Sequence, residues 1–211
     1  MNISKKRLTI AALFLLAFVL WTAAICLVDV QPIGPEGSAV GFATLNRFVH
    51  KLTGVHFTLY HITDWLGLVP VAVGFCFAFL GLWQWIKRRH IGKVDANILA
   101  LGGFYLLVLG AYLFFESNVV NYRPVLIGGF LEASYPSSTT LLVMCVMPTA
   151  MLQLRSRIRQ PRFRRCVLWS IGIFLVFMVA GRLLSGVHWF SDIIGGALLS
   201  AGLVTLYASF I

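Results

Sequence analysis

His188 and Asp192 are the residues of this sequence best suited to covalent chemistry. They stand four apart, which on a helix puts both on one face. A carboxylate so placed can accept from one imidazole nitrogen and fix the tautomer, leaving the other nitrogen free to act. Arg182 lies six residues before His188, and Arg123 sits in the segment Asn121-Tyr122-Arg123-Pro124. Two guanidinium forks can grip a tetrahedral oxyanion through several charge-assisted bonds. A third segment, Pro136-Ser137-Ser138-Thr139-Thr140, precedes an apolar run. That pattern starts a helix, and a helix N-terminus offers free N–H groups and a positive dipole end to a phosphate. Each feature alone has a plainer reading: an interfacial His–Asp hydrogen bond, arginines paired with Glu116 or Glu132, an ordinary helix start. Together they point to a substrate that carries phosphate.

The elements that must hold these residues are membrane spans. Of the 211 residues, 59% are hydrophobic and 11% charged, against about 25% charged in a soluble domain. A disordered chain, a disulfide-stapled miniprotein and a soluble globule are excluded on that ground. The charges bound six long neutral runs: Leu8–Val28, Trp65–Ile86, Ala96–Phe115, Ala133–Leu154, Cys166–Gly181 and Ile193–Ile211. About 20 helical residues cross roughly 30 Å of hydrocarbon, and irregular backbone facing lipid is excluded. The fifth run is short, but it reaches span length if it continues through Arg182–Gly186 with Arg182 at the membrane face. The expected fold is an all-α integral membrane bundle of six helices, one domain over residues 1–211.

Charge also orients the bundle. Thirteen of the seventeen Lys and Arg fall before the first span and in loops 87–95 and 155–165; only Arg47, Lys51, Arg123 and Arg182 fall on the other side. The basic excess belongs in the cytoplasm. Both termini are then inside, and the chemistry-bearing segments are on the outer face of a plasma membrane. The net charge of +10 is thus accounted for by topology, with anionic lipid as its partner and no role for nucleic acid. Three cations followed by apolar residues resemble a signal sequence, but the neutral run is longer than a cleavable core, so an uncleaved first span is expected. The lack of any long appended domain fits a bacterial origin.

The first outer loop, Asp29–Asp64, is long. It opens on a turn-rich Gln31–Gly37 and continues through Val40–Leu52 with apolar and polar residues at helical spacing. This reads either as a short helix on the outer membrane surface or as a loop packed over helix ends. Cys26, Cys76, Cys145 and Cys166 all lie within spans at spacings unsuited to zinc or a redox pair, and read as packing residues. No histidine has metal-ligand spacing, so neither metal nor cofactor is expected.

The order Arg123-Pro124, Pro136-Ser137-Ser138-Thr139, then Arg182-x5-His188-x3-Asp192 resembles the type 2 phosphatidic acid phosphatase superfamily, whose pattern is K-x6-R-P, P-S-G-H and S-R-x5-H-x3-D. The resemblance covers most of the chain, and the third motif is its specific part. It implies that His188 attacks phosphorus to form a phosphohistidine, that Asp192 orients it, and that Arg123, Arg182 and Ser137 cradle the phosphate. Ser138, Thr139, Tyr122 and Glu116 would be substrate contacts.

Three positions depart from the family pattern. Its lysine is Glu116 here, its second-motif histidine is Thr139, and the serine before the third-motif arginine is Gly181. The resemblance makes that second-motif histidine the acid that protonates the leaving alcohol. A positioned acid is worth about 10²–10⁴-fold, and its loss matters least when the leaving group is itself a phosphate. The expectation is a membrane enzyme hydrolysing lipid-linked phosphate or polyprenyl diphosphate at the outer leaflet. The alternatives are a lipid phosphotransferase and a non-catalytic lipid-phosphate binder or transporter. Glu116 or Glu132 is then either a substitute acid or a holder of a cationic head group.

Overall fold

A computed structural model describes residues 3–211. Its helices are α1 (Ile3–Leu27), α2 (Ala43–Thr53), α3 (Phe57–Leu66), α4 (Leu68–Arg88), α5 (Ala96–Ser117), α6 (Ser138–Arg157), α7 (Pro161–Leu184) and α8 (Phe190–Ala208). Six of them, α1 and α4 to α8, make an integral membrane bundle. In lipid a helix satisfies its own backbone, which is why apolar composition here gives helix throughout. Five stretches are long and apolar enough to span by themselves: α1, α3 with α4, α5, α7 and α8. The sixth spanning helix, α6, is the polar one. It carries Thr140, Thr149 and Gln153 buried along its length, and α4, α5, α7 and α8 pack around it. Its polar groups face protein, and Thr149 satisfies its hydroxyl on the Cys145 carbonyl at 2.8 Å.

The span boundaries shift in physically legible ways. The fourth run begins at Ala133, but helix α6 begins at Ser138. Residues 132–134 are extended and pair with 121–123: Arg123 N donates to Glu132 O at 3.0 Å, and Ser134 N donates to Asn121 O at 2.9 Å. Proline at 136 cannot donate to a ladder and closes this pairing before the helix starts. Helix α7 runs on to Leu184 and so carries Arg182. Helix α8 starts at Phe190, two residues after His188. Of the four cysteines only Cys145 is buried; Cys26, Cys76 and Cys166 lie on outward faces of their helices, which corrects their reading as packing residues.

The long loop combines both of its expected forms. Helix α2 has Leu45, Phe48 and Leu52 on its exposed face. Its other face packs on the start of α8, where fully buried Asn46 donates to Ser191 Oγ at 2.9 Å and accepts from Ser191 N at 3.1 Å.

The bundle has two chemically distinct ends. At one, Asp95 pairs with Arg88 at 2.9 Å and with Arg157 at 3.6 Å, and Ser4 Oγ reaches Ser209 O at 3.2 Å, so the two ends of the chain meet there. At the other end the loops 29–56, 118–137 and 185–189 fold over one another.

Candidate active site

The extended pair 121–123 and 132–134 lies against the loop that enters α8. Trp189 fastens it there, donating from Nε1 to Tyr122 O at 2.7 Å. This places Asn121, Arg123, Glu132 and Ser134 around His188 and Asp192.

Asp192 is fully buried in the first turn of α8. One oxygen accepts from Trp189 N at 2.9 Å and from Ser134 Oγ; the other accepts from Asn121 Nδ2 at 3.2 Å. A buried carboxylate is costly without such donors, and here it has both oxygens bonded. His188 does not reach it directly. Its Nδ1 is 4.0 Å from Asp192 Oδ2, and Ser134 Oγ stands between, 3.0 Å from Nδ1. Because the serine hydroxyl gives its proton to Asp192, its oxygen is left to accept. His188 Nδ1–H then donates to Ser134, and Ser134 to Asp192. That chain fixes the tautomer with the lone pair on Nε2, which is buried and has no hydrogen-bond partner. Burial, and then the charges of Arg123 and Arg182, hold the His188 pKa well below its ordinary 6.5. The ring is therefore neutral at physiological pH, as a nucleophile requires.

The expected helical face shared by His188 and Asp192 is a different geometry from the one found. His188 precedes the helix, and the pair meets because the Asp192 carboxylate caps the N-terminus of α8. The preceding loop turns on Gly186, at φ +67°, where a Cβ would lie 1.8 Å from Gly54 O. Glycine is the only residue that fits both demands.

The two arginines come from opposite directions. Arg182, at the end of α7, is 1% exposed. It donates to Thr63 Oγ1 at 3.3 Å and to Asp64 Oδ1 at 3.2 Å. Arg123 has Nε 3.1 Å from Glu132 Oε2, at an angle that makes no hydrogen bond, and its Nε and Nη1 are buried without partners. Both guanidinium groups lie over the Tyr60 ring, Arg182 at 4.9 Å and Arg123 at 5.9 Å from its centroid. The ring face offsets part of the cost of holding two like charges together. Gly181 also has a reason here: a Cβ at that position would lie 2.7 Å from the Thr63 methyl. Thr63 supplies Arg182 with a hydroxyl acceptor across that contact.

A cavity of about 270 Å³ opens beside this cluster, and its walls include Glu116, Arg123, Glu132, Ser134, Ser138 and His188. Ser137, the residue before α6, does not line it. Its hydroxyl accepts from Thr140 Oγ1 at 3.1 Å and its N–H donates to Asp192 O at 3.1 Å, so it joins α6 to α8. Thr139 lines a second, larger and mostly apolar groove between α4 and α5. Tyr122 contributes its carbonyl to Trp189 and is absent from the cavity wall. The cavity thus gathers His188, Arg123, Glu116 and Ser138, with Arg182 and Asp192 behind it. Residues that spacing did not single out complete the cluster: Ser134, Asn121, Tyr60, Thr63 and Asp64. Asp64 had a signal, as an acid at a span edge that calls for a cation. Ser134 had none, because its role depends on a pairing between two loops.

A family model described as the PAP2 superfamily matches residues 103–211. Among solved structures, the chain is similar to the crystal structure of the first transmembrane PAP2 type phosphatidylglycerolphosphate phosphatase from Bacillus subtilis. The TM-score is 0.59 over 95% of each chain, at 18% identity, so the likeness is one of fold. No curated protein matches the sequence.

Proposed function

Because the chain belongs to the PAP2 superfamily, we propose that it is a membrane phosphatase releasing phosphate from a lipid-linked phosphate or diphosphate at the outer leaflet. The observation that carries this reading is the buried, unpartnered Nε2 of His188, on a ring whose other nitrogen is tied through Ser134 to Asp192. A structural histidine buried this deeply would be bonded at both nitrogens.

The phosphate is held by Arg123, with Arg182 adding charge from behind. Nε2 attacks phosphorus, the P–N bond forms as the ester or anhydride P–O bond breaks, and the leaving oxygen departs away from the imidazole. Ser134 and Asp192 stabilise the positive charge that develops on the ring. Water then attacks the phosphohistidine, the P–N bond breaks, and inorganic phosphate leaves with His188 restored.

The second cavity supports a lipid substrate. A groove of about 1000 Å³ runs down the bundle between α4 and α5, past Gly74, Leu82, Tyr105 and Leu109. It shares Tyr112, Ser138 and Leu141 with the small polar cavity. A head group in one and its tail in the other would be continuous. The basic residues at the opposite end of the bundle support action at the outer leaflet.

The test is phosphate release from a panel of lipid phosphates and diphosphates by the purified protein. We expect turnover by wild type and none above background for His188→Ala. Tight binding with no turnover of any member would instead favour a lipid-phosphate binder, and transfer to an acceptor alcohol without free phosphate would favour a phosphotransferase.

A further inference from the structure

The small cavity has an unusual charge pattern for a phosphate site. Two carboxylates, Glu116 and Glu132, share its wall with Arg123 and His188. Glu132 has a cation beside it, since its Oε2 is 3.1 Å from Arg123 Nε. Glu116, at the last turn of α5, has no ion-pair partner among the described residues. No hydrogen bond or ion pair among the described residues uses its charge. On the same cavity wall, Arg123 is 8% exposed with Nε and Nη1 unpartnered, and His188 is 3% exposed with Nε2 unpartnered. These buried donors and lone pair call for a phosphate. A free carboxylate on the same small cavity repels a purely anionic head group. A ligand that satisfies both walls carries a negative and a positive charge within one small head group.

We propose that Glu116 forms a cation subsite next to the phosphate site, and that the substrate is a lipid phosphate whose head group carries an ammonium close to the scissile ester. This rests on the phosphatase reading above and names its substrate class. Glu116 holds the ammonium in place while Nε2 attacks phosphorus.

Two probes isolate the charge: dihydrosphingosine 1-phosphate and its N-acetyl derivative. They share chain and phosphate and differ in whether the nitrogen is a cation. Wild type in detergent micelles near neutral pH is expected to prefer the free amine by roughly fivefold or more in kcat/KM, the scale of a partly screened ion pair. In Glu116→Gln the preference should fall below about twofold, and in Glu116→Lys it should reverse. Glu116 is exposed, so these variants should fold. Equal kcat/KM for the two probes in wild type would overturn the proposal, as would a preference that survives in Glu116→Gln. Loss of about 100-fold on both probes alike in Glu116→Gln would overturn it too, by making Glu116 the general acid. Should no lipid phosphate of any kind turn over, the phosphatase reading falls, and equilibrium binding of the same two probes to wild type and Glu116→Gln still decides the subsite. Tighter binding of the amine, lost in Glu116→Gln, supports it, and equal binding overturns it.

Discussion

Ser134 is the residue on which the chemistry of the cluster turns. It converts a histidine and an aspartate 4.0 Å apart into one hydrogen-bonded chain, and so sets which ring nitrogen keeps its lone pair. Ser134→Ala should lower kcat by roughly 10–100-fold, the worth of a hydrogen bond to a charged group, with KM little changed. Ser134→Thr should recover part of the loss. Nitrogen chemical shifts of His188 give a readout that misfolding alone would not move: wild type should show one tautomer protonated at Nδ1, and Ser134→Ala a mixture. The same spectra test the protonation state. With its pKa held well below 6.5 by burial and by two guanidinium charges, His188 should stay neutral as pH falls through 6.5. The unfolded chain takes up a proton in that range and the folded chain does not, so this residue lowers stability as pH falls below about 6.5. A ring half-protonated at 6.5 would contradict the account. At this scale the sequence was partly readable. His188, Asp192, Arg123 and Arg182 stand out because ionisable groups at the edge of hydrocarbon are costly. The serine between them does not, since Ser134 is an ordinary loop residue until Asn121 pairs with it. Ser137, which its place in a motif suggested as a phosphate contact, turns out to bond Thr140 and Asp192 O.

Among the elements, α8 has the most to position. Its first turn carries Asp192, and the close seat of Tyr135 against it keeps the loop before α6 in register. Tyr135 is 2% exposed, and its hydroxyl is 2.6 Å from that of Thr22 on α1. A Cβ at Gly195 would lie 2.3 Å from the Tyr135 ring. Small residues let membrane helices and loops approach in this way. Gly195→Ala should therefore cost about 1–3 kcal/mol, seen as a lower Tm in detergent. Gly103→Ala, on α5 with nothing within 4 Å of the new Cβ, should leave Tm unchanged. Equal effects would contradict the packing argument. Spans were legible wherever charges end neutral runs, as at Arg7 and Asp95. The start of α6 was legible from Pro136-Ser137 rather than from the neutral run, which begins too early at Ala133; the pairing of that stretch with 121–123 was not.

For the molecule as a whole, the two ends of the bundle differ in charge, and the orientation we propose rests on that difference. Basic loops gather where the chain ends meet, and the candidate site lies at the far end. The expected arrangement places the site outside the cell. With the four native cysteines replaced, a membrane-impermeant maleimide applied to intact cells should label Glu36→Cys in the first long loop and spare Lys93→Cys in the loop before α5. The reverse pattern would put the site inside and overturn the outer-leaflet assignment. Composition made the helical spans at this scale the most legible, since the bilayer constrains every span in the same way. The groove between α4 and α5 was not foreseeable, because it depends on how far apart two similar apolar helices settle.

The most direct measurement is rapid quenching of the wild-type protein during turnover of a radiolabelled lipid phosphate, followed by mapping of the bound phosphoryl group. The account predicts an acid-labile, base-stable phosphoryl group on His188, absent from His188→Ala. A phosphoryl group mapped to any other residue, or multiple turnover by His188→Ala, would contradict it.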